Sequence, residues 1–344
     1  MNVKEAIVLA GGFGTRLRPL TYTRPKPLLP VLNKPIISYI INQLPREVER
    51  VIIASNYRND MLRKFFKEND FGREIIINKE DKPLGTGGAV KFAEKYISDH
   101  FFVLNADIIS SLDLNMMKSF HEKRGGFATI SLWPVENVEE FGVVEIKDGI
   151  IRKFIEKPRQ EEAPSNLINA GAYLLSPEVL NYIEINGMVS MEKEIFPKII
   201  NNGKRFLGFN VNDYWIDVGR VDSYIKAHCL LMKKNGIKNV VGENSLVEGK
   251  LVNSAIGNDV IIGKGSEIVN SVVFDGAIIK DGVKIMNSIV GEKCYIEPNS
   301  KVKNSVVGDE EIIHESSIIE NKRIWTKEIP KGYPNKQIGN EVRK

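Results

Sequence analysis

Three glycines and two cations near the start of the chain form its most distinctive chemical pattern. Gly11, Gly12 and Gly14 directly follow a short apolar run, and Arg16 and Lys26 come soon after. Because glycine has no side chain, backbone amides in such a turn can approach a ligand closely and form an anion-binding nest. Arginine adds a fork of donors for phosphoryl oxygens, and lysine adds a point charge. The pattern therefore indicates a phosphate-binding loop.

Other interpretations of this loop fit less well. The dinucleotide-binding fingerprint needs a third glycine where Leu17 stands, and the chain has no Walker A sequence. A tight turn with solvated charges would also explain three glycines, since glycine clusters are common in turns. Arg16 and Lys26 together favour phosphate binding over a simple turn, and Pro25 and Pro27 restrict the freedom of Lys26.

Two aspartates are candidate ligands for a divalent cation. Asp107 follows the apolar run Phe101 to Leu104, at the carboxyl end of a predicted strand, where open α/β sheets bind ligands. Asp217 lies between Ile216 and Val218, and a carboxylate in so apolar a setting is costly unless it is paired or bound to metal. Two structural alternatives stay open, since Asp107 could cap a helix or turn and Asp217 could face water at a strand end.

The elements that must position these residues follow from the hydrophobic pattern. Up to about residue 233, short apolar runs alternate with amphipathic stretches, which predicts a mostly parallel sheet with helices on both faces. The predicted strands are Ala6 to Ala10, Val51 to Ser55, Glu74 to Asn78, Phe101 to Leu104, Phe127 to Trp133, Val143 to Ile146, Ile150 to Ile155 and Ala172 to Leu175. The predicted helices are Pro35 to Leu44, Asp60 to Lys67, Gly88 to Tyr96, Leu114 to Lys123, one capped by Ser190, and Val221 to Lys234. Asp148 and Gly149 predict a hairpin turn.

From about residue 237 the sequence repeats with a period of 17 residues. Asn-Ser pairs begin at residues 253, 270, 287 and 304, and aliphatic residues fall about every six residues between them. This rhythm predicts a parallel β-helix with three faces per coil, in which each coil buries its apolar positions on its neighbours. A β-sandwich would instead turn about every 8 to 12 residues without an exact return. We expect glycines at the corners, namely Gly257, Gly263, Gly276, Gly282 and Gly291.

Composition excludes several functional classes. The 48 Lys and Arg residues against 44 Asp and Glu residues leave a charge of +4 without a basic run, so nucleic acid is not an expected partner. Cys229 and Cys294 are far apart, which favours a reducing compartment over a disulfide framework or a zinc site. The apolar run Ala6 to Ala10 is too short for a signal peptide or membrane span, and we expect a cytoplasmic protein.

Seven motifs occur in the order found in the sugar-1-phosphate nucleotidylyltransferases, and the chain resembles that family. The motifs are residues 9–17 with 25–27, 83–88, 104–107, 141–144, 154–158, 169–171 and 215–219. The likeness covers nearly all of residues 1–233, and many family members also carry a C-terminal left-handed β-helix. Spacing alone does not give the hand of the coils; resemblance to hexapeptide-repeat proteins suggests left. Residues 83–88, 192–197 and 215–219 look most like mannose-1-phosphate guanylyltransferases.

The resemblance implies that a sugar 1-phosphate oxygen attacks the α-phosphorus of a nucleoside triphosphate and releases pyrophosphate. It further implies Mg²⁺ held by Asp107 and Asp217, with Arg16, Lys26, Asp107 and Lys157 as the catalytic residues. The implied nucleotide-binding residues are Ala10, Gly11, Gly12, Gly14, Thr15, Arg16, Lys26, Gly85, Thr86, Gly88 and Asn105. The implied sugar-phosphate-binding residues are Gly142, Glu156, Lys157, Asn169 and Gly171.

The specific reaction is open to several interpretations. GTP and mannose 1-phosphate, giving GDP-mannose, fit the motifs best; thymidylyl or uridylyl transfer to glucose 1-phosphate is the alternative. A regulatory subunit that binds nucleotide sugars without catalysis would share the fold, but the presence of Arg16, Lys26, Asp107, Lys157 and Asp217 favours catalysis. An acyltransferase β-helix is disfavoured because His314 is the only histidine in the repeats.

We predict a Rossmann-like catalytic domain over residues 1–235, a left-handed parallel β-helix over 236–320 and a tail over 321–344. The repeats contain no base, nucleophile or anion loop of their own. We therefore expect the coils to hold a homo-oligomer together and to take no part in the chemistry.

Overall fold

The computed structural model describes residues 1–330 and 341–342. The chain forms two compact units that do not follow chain order. The first unit contains Met1–Gly12 and Ile37–Ile216, and the second contains Phe13–Ile36 and Asp217–Lys344 as far as they are described. Phe13–Ile36, which we call the loop segment, therefore clusters with the C-terminal part of the chain.

The alternation of apolar and amphipathic stretches produces strands and helices close to those predicted. The strands up to residue 217 are β1 (Glu5–Leu9), β2 (Pro30–Val31), β3 (Lys34–Pro35), β4 (Arg50–Ser55), β5 (Glu74–Lys79), β6 (Phe101–Asn105), β7 (Ile108–Ser110), β8 (Ala128–Pro134), β9 (Gly142–Lys147), β10 (Ile150–Glu156), β11 (Leu167–Leu175), β12 (Phe206–Asn210) and β13 (Trp215–Asp217). The α-helices are α1 (Leu20–Thr23), α2 (Ile36–Gln43), α3 (Asn59–Glu68), α4 (Gly85–Phe92), α5 (Leu114–Arg124), α6 (Phe196–Asn201) and α7 (Val221–Lys234).

A nine-stranded sheet forms the centre of the first unit, in the order β5-β4-β1-β6-β11-β8-β12-β10-β9. Strands β5, β4, β1 and β6 are parallel, whereas β11 runs antiparallel to both β6 and β8. The parallel strands are apolar along most of their length because both faces of the sheet are covered. Ile7, Val103, Ile130, Tyr173 and Phe196 are fully buried members of the resulting core.

Local predictions in this unit are largely confirmed. Asp148 and Gly149 both have positive φ, 52° and 75°, as a two-residue hairpin turn requires. Ser190 accepts a hydrogen bond from the Lys193 amide and caps a π-helical turn, Met191–Ile195, which leads into α6.

Two predicted elements, one helix and one strand, have wrong boundaries. The helix predicted over Gly88 to Tyr96 is α4, which begins at Gly85 and ends at Phe92, with a 3₁₀ turn following over Glu94–Tyr96. The three glycines of its first turn disguised its start, because glycine is a poor helix former. Strand β11 begins at Leu167 and not at Ala172, since a register shift between Asn169 and Tyr173 interrupts its alternating pattern.

The repeats form three parallel sheets, which confirms the predicted parallel β-helix and is consistent with left-handed coiling. Their strands are β14 (Val240–Val241), β15 (Leu246–Val247), β16 (Lys250–Val252), β17 (Ala255–Ile256), β18 (Ile261–Ile262), β19 (Glu267–Val269), β20 (Val272–Val273), β21 (Ile278–Ile279), β22 (Lys284–Met286), β23 (Ile289–Val290), β24 (Tyr295–Ile296), β25 (Lys301–Lys303), β26 (Val306–Val307), β27 (Ile312–Ile313), β28 (Ile318–Glu320), β29 (Arg323–Ile324) and β30 (Glu341–Val342). Ala255, Val272, Ile289 and Val306 pair in register, one coil apart.

The interior and the corners of the coils explain the 17-residue period. The aliphatic residues predicted to point inward are all buried, namely Ile256, Ile262, Ile268, Val273, Ile279, Ile285, Val290, Ile296 and Val302. Asn270 and Asn287 turn one corner with a φ of 47°, and Asn270 Nδ2 donates to Asn287 Oδ1 at 3.3 Å. Ser271 Oγ accepts the Ser288 amide of the next coil at 3.1 Å. Asparagine therefore turns this corner, in addition to the glycines predicted for others.

Two further expectations concern the ends and surface of the fold. Among the residues that the structure describes, no helix has the length and apolar character needed to cross a bilayer. In the predicted tail, Arg323–Ile324 add a strand to the stack and Trp325 is buried. Gly332 and Pro334, which belong to the same predicted tail, lie outside the described residues.

Candidate active site

A cavity of about 280 Å³ opens in the first unit where four parallel strands end. Gly11 and Gly12 follow β1, Asn56 follows β4, Glu80 follows β5 and Asp107 follows β6, and all five line the cavity. The carboxyl edge of parallel strands is where open α/β sheets bind ligands, because the connecting loops converge there. The position predicted for Asp107 is therefore correct.

The cavity contains polar groups that could orient a ligand. Gly85, Thr86 and Asn105 complete the predicted part of its lining, whereas Gly88 is buried and its amide faces the Val189 carbonyl at 3.3 Å. Glu80 is 5% exposed, and its Oε2 accepts the Leu84 amide at 3.1 Å. Burial raises the pKa of this carboxyl, although the Leu84 amide opposes the shift.

Four of the residues predicted to bind the sugar phosphate lie on β9, β10 and β11, namely Gly142, Glu156, Asn169 and Gly171, and Lys157 directly follows β10. Hydrogen bonds link one of them, Asn169, to Thr86. Asn169 Nδ2 donates to the Tyr173 hydroxyl at 2.9 Å, and that hydroxyl donates to Glu192 Oε1 at 3.2 Å. Glu192 Oε2 accepts from Thr86 Oγ1 at 2.6 Å and from Ser190 Oγ at 2.8 Å. A continuous polar network therefore connects the cavity lining with Asn169.

Glu156 and Lys157 are adjacent in sequence but differ in environment. The Glu156 side chain is 16% exposed and the Lys157 side chain 55%, with 3.7 Å between Oε1 and Nζ. Burial raises the pKa of Glu156, the Glu192 carboxylate raises it further, and Lys157 opposes both. Lys157 also has a positive φ of 52°, which turns the chain directly after β10.

Two glycines make room for polar side chains. A Cβ on Gly142 would lie 2.3 Å from Phe154 Cζ and 2.9 Å from Glu156 Oε2, and one on Gly171 would lie 2.8 Å from Asn105 Nδ2. Gly171 also has a φ of 78°, a conformation that other residues rarely adopt. Both glycines therefore leave space for the carboxylate or amide beside them.

The cations of the predicted phosphate loop belong to the second unit. Gly14 has a φ of 63°, and a Cβ there would lie 2.8 Å from Thr21 Cγ2 and 3.2 Å from Lys26 Cβ. Arg16 is exposed in the 3₁₀ turn Thr15–Leu17, whereas Lys26 is only 8% exposed. Pro25 and Pro27 flank Lys26 as the chain enters a second 3₁₀ turn, Lys26–Leu28.

Asp217 lies beside Lys26 in this unit. The distance from Lys26 Nζ to Asp217 Oδ1 is 3.9 Å, and the Asp217 side chain is 31% exposed. A Cβ on Gly219 would lie 2.7 Å from Asp217 Oδ1, so this glycine leaves room for the carboxylate. Asp217 is thus paired with a cation, as the cost of an apolar setting requires.

Sequence reasoning missed Glu80, Tyr173 and Glu192 as site residues. Glu80 and Tyr173 are single residues outside any motif, and only their burial beside other polar groups marks them. Glu192 stands in the 192–197 motif, but its contacts with Thr86 and Tyr173 depend on pairing between distant segments. Two histidines are buried outside the cavity lining: burial lowers the pKa of His228 to about 3 and that of His121 to about 4.

Comparison with known families agrees with this architecture. A family model described as nucleotidyl transferase matches residues 5–234, and one described as the GMPPB C-terminal domain matches residues 234–339. Since the first match alone covers more than half of the chain, the chain belongs to the nucleotidyl transferase family. The resemblance to sugar-1-phosphate nucleotidylyltransferases is confirmed.

Similar proteins come from several eukaryotes. The chain is 39% identical over 237 residues to the mannose-1-phosphate guanylyltransferase catalytic subunit beta of Xenopus tropicalis, over 67% of this chain and 65% of that protein. It is 41% identical over 230 residues to a probable mannose-1-phosphate guanylyltransferase 2 of Oryza sativa subsp. japonica, over 64% of this chain and 63% of that protein. The chain therefore spans less than two thirds of the length of these relatives.

Two solved structures share the fold over about two thirds of the chain. A UDP-glucose pyrophosphorylase complexed with UDP-glucose has a TM-score of 0.59 and 26% identity, over 67% of this chain and 99% of that chain. A putative glucose-1-phosphate thymidylyltransferase from Bacillus anthracis has a TM-score of 0.60 and 26% identity, over 66% of this chain and 94% of that chain.

Substitution at Gly171 tests the close approach of β11 to Asn105. We expect Gly171→Ala to lower the free energy of unfolding by more than the roughly 1–2 kcal/mol of left-handed strain, because its Cβ also meets Asn105. Gly72→Ala is the matched control, since Gly72 has a φ of 65° with nothing within 4 Å of its Cβ. Urea unfolding of both variants measures the difference; equal losses would contradict a tight contact at Asn105.

Proposed function

We propose that the protein transfers a nucleoside monophosphate from a nucleoside triphosphate to a sugar 1-phosphate and releases pyrophosphate. The observation that carries this proposal is the cavity at the carboxyl ends of β1, β4, β5 and β6, which Gly11, Gly12 and Asp107 line. Membership of the nucleotidyl transferase family and the names of the similar proteins support it. We assign the catalytic domain to residues 1–235, the β-helix to 236–320 and the tail to 321–344, in keeping with family matches that meet at residue 234.

The reaction brings two polyanions together, so its main requirement is positioning with charge neutralisation. We assign Arg16, Lys26 and the amides of Gly11, Gly12 and Gly14 to the triphosphate, and Lys157 to the sugar phosphate. Arg16 offers a fork of donors for phosphoryl oxygens, and Lys26, between two prolines, offers a fixed charge. No protein nucleophile is needed, because the sugar phosphate oxygen itself attacks the α-phosphorus.

Other residues are assigned to the sugar and nucleoside parts of the substrates. Glu156, with its largely buried carboxylate, can accept hydrogen bonds from sugar hydroxyls, and Asn169 and the backbone at Gly171 adjoin the same network. The assigned sugar site also includes Gly142. The assigned nucleotide site is completed by Ala10, Thr15, Gly85, Thr86, Gly88 and Asn105.

A divalent cation fits the residues present. Among the described residues no three His, Cys, Asp or Glu side chains group together as a metal centre. Mg²⁺ commonly takes only one or two carboxylates and fills its octahedron with water and phosphate oxygens, so a dedicated cage is not required. We assign Asp107 and Asp217 to hold Mg²⁺, which would neutralise charge on the phosphates.

Glu80 favours guanine among the bases. Its largely buried carboxylate lines the cavity, together with the Asn56 side-chain amide. Guanine presents an N–H and an adjacent amino group that can both donate to a carboxylate, whereas thymine and uracil present one N–H between two carbonyl oxygens that a carboxylate repels. Together with the mannose-1-phosphate guanylyltransferase names of similar proteins, this supports GTP and mannose 1-phosphate as substrates.

We also propose a homo-oligomer that forms through the β-helix. The outer face of one sheet carries a column of apolar residues in register, of which Leu246 and Ile312 are each 57% exposed and Ile261 is 44% exposed. A two-fold contact between copies would cover this column on both.

Cys229 and Cys294 are free thiols, in keeping with a cytoplasmic location.

A substrate matrix with pyrophosphate release as the readout tests the reaction. We expect GTP with mannose 1-phosphate to give the highest kcat/KM, and Glu80→Gln to reduce the preference for GTP over UTP and dTTP. Asp107→Asn should fold normally and lose most turnover, about a hundredfold or more. A matrix led by dTTP or UTP with glucose 1-phosphate would overturn the substrate assignment. Absence of turnover with every pair would favour a regulatory nucleotide-sugar-binding role.

The Glu156–Glu192 proximity predicts a pH effect. Ionised Glu156 accepts sugar hydroxyl hydrogen bonds, so kcat/KM for the sugar phosphate should fall as pH drops through the raised pKa of Glu156. Glu192→Gln removes a charge that raises this pKa, and we expect the acid limb to move to lower pH. Glu194→Gln removes an exposed acid two residues away and should leave the limb in place. An unchanged limb in Glu192→Gln would contradict the assignment of Glu156.

The apolar column predicts the effect of a surface charge on assembly. We expect Ile312→Lys to lower the sedimentation coefficient of the full-length protein without lowering its unfolding temperature, since Ile312 is exposed within one chain. Lys284→Ala, on the charged outer face of another sheet, is the control. A monomeric parent protein, or an unchanged assembly in Ile312→Lys, would overturn the proposed interface.

A further inference from the structure

We propose that the β-helix positions the phosphate loop through Arg24, so that the coils take part in catalysis as a support for Arg16 and Lys26. Arg24 is a positioning residue in this proposal, because it acts on the loop and touches no substrate. The inference rests on the proposed function of the loop. It revises the expectation from sequence that the coils take no part in the chemistry.

Arg24 lies in the loop segment, two residues before Lys26, and is only 8% exposed. Its Nη2 is 2.5 Å from Asp309 Oδ2, and its Nη1 donates to Glu292 Oε1. Thr23 Oγ1 donates to the same Asp309 oxygen at 2.5 Å. We call this set of four side chains, Thr23, Arg24, Glu292 and Asp309, the Arg24 clamp.

The acidic side of the clamp is built by the repeat. Glu292 and Asp309 are 17 residues apart and therefore occupy the same corner of successive coils, and the Glu292 amide donates to Asp309 Oδ1 at 2.8 Å. Asp309 is 5% exposed, and its carboxylate is held through Oδ1 by the Glu292 amide and through Oδ2 by Thr23 and Arg24. Burial acts to lower the pKa of Arg24, but the two carboxylates outweigh this effect and the net pKa is raised.

Other contacts hold the loop segment before and after the clamp. Arg323 Nη1, from β29, donates to the carbonyls of Arg16 at 2.8 Å and Arg18 at 2.7 Å. The rings of Tyr22 and Trp325 lie 5.2 Å apart.

Downstream, the anchors come from α7 and from the first coils. The Leu32 amide donates to His228 Nδ1 at 3.3 Å, and Asn33 Nδ2 donates to the Ile256 carbonyl at 2.7 Å. Tyr224 OH donates to the Pro30 carbonyl. The segment is thus attached at its start, middle and end to residues more than 190 positions later in the chain.

This attachment has a direct consequence for Arg16 and Lys26. Arg16 lies in one short turn and Lys26 begins another. Arg323 holds the backbone at Arg16, and the clamp holds it two residues before Lys26. Displacement of a charge-neutralising group by about 1 Å can cost on the order of a hundredfold in rate. The coils therefore control how well the loop neutralises the triphosphate.

Arg24→Gln in the full-length protein tests the proposal. We expect amide hydrogen exchange of residues 13–36 to accelerate and kcat/KM for the nucleoside triphosphate to fall at least about tenfold. KM for the sugar 1-phosphate should change much less. Asp309→Asn should likewise lower kcat/KM for the nucleoside triphosphate much more than it changes KM for the sugar 1-phosphate. The variant with both Arg24→Gln and Asp309→Asn should lose less kcat/KM than the product of the two single losses. Lys303→Gln is the matched control, since it removes a 2.9 Å ion pair to Glu320 on the exposed face of the coils.

The outcomes separate this inference from the proposed function. If amide exchange of residues 13–36 stays at the parental rate in Arg24→Gln, the proposed clamp is wrong, whatever the kinetic constants are. Faster exchange with unchanged kinetic constants would overturn the positioning role while sparing the proposed function. A parent protein inactive with every substrate pair would refute the proposed function, and the exchange data would still decide the clamp. If Arg24→Gln fails to fold, Thr23→Val removes the hydrogen bond to Asp309 without removing a charge, and the same two readouts apply.

Discussion

A buried guanidinium is costly unless acceptors, and carboxylates above all, accompany it, and Arg24 imposes this constraint on the second unit. Removing one partner of a buried ion pair typically costs about 3–5 kcal/mol, a large part of the roughly 5–15 kcal/mol that stabilises an ordinary domain. Arg24 is 8% exposed and its partners, Asp309 and Glu292, come from two successive coils. The loop segment cannot leave the coils without separating these charges.

The constraint explains why compact units and chain order differ. The segment that carries the phosphate-binding signature is continuous in sequence with the first strand, yet its contacts with residues 217–330 place it in the second unit. Arg24 and Asp309 are separated by 285 residues, so their contact closes a very long loop and can form only when the coils are in register. A truncation after residue 235 would therefore remove both carboxylates of the clamp and also Arg323, which holds the Arg16 and Arg18 carbonyls.

The features that depend on periodicity could be predicted from the sequence. Contacts between residues that are far apart in the sequence could not. The 17-residue return placed nine aliphatic residues in the core of the coils, and the apolar run before Asp107 placed that carboxylate at the edge of the sheet. Glu80 and Tyr173 were missed because no local pattern distinguishes a buried polar residue from an exposed one. The Arg24 clamp was missed for the same reason, although the period alone puts Asp275, Glu292 and Asp309 at one corner of successive coils.

Stacking of the coils brings like charges close together at one corner, and Arg24 offsets their repulsion. Equivalent positions of neighbouring parallel strands lie about 4.8 Å apart, so identical charges in a column repel one another. Asp275 is exposed and water screens its charge, whereas Asp309 is buried and Glu292 is half-buried. Arg24 therefore supplies a positive charge to Asp309 and Glu292, whereas water screens the charge of Asp275. The β-helix therefore depends on the loop segment for neutrality at this corner as much as the loop segment depends on the β-helix for its position, and a change on either side should weaken both.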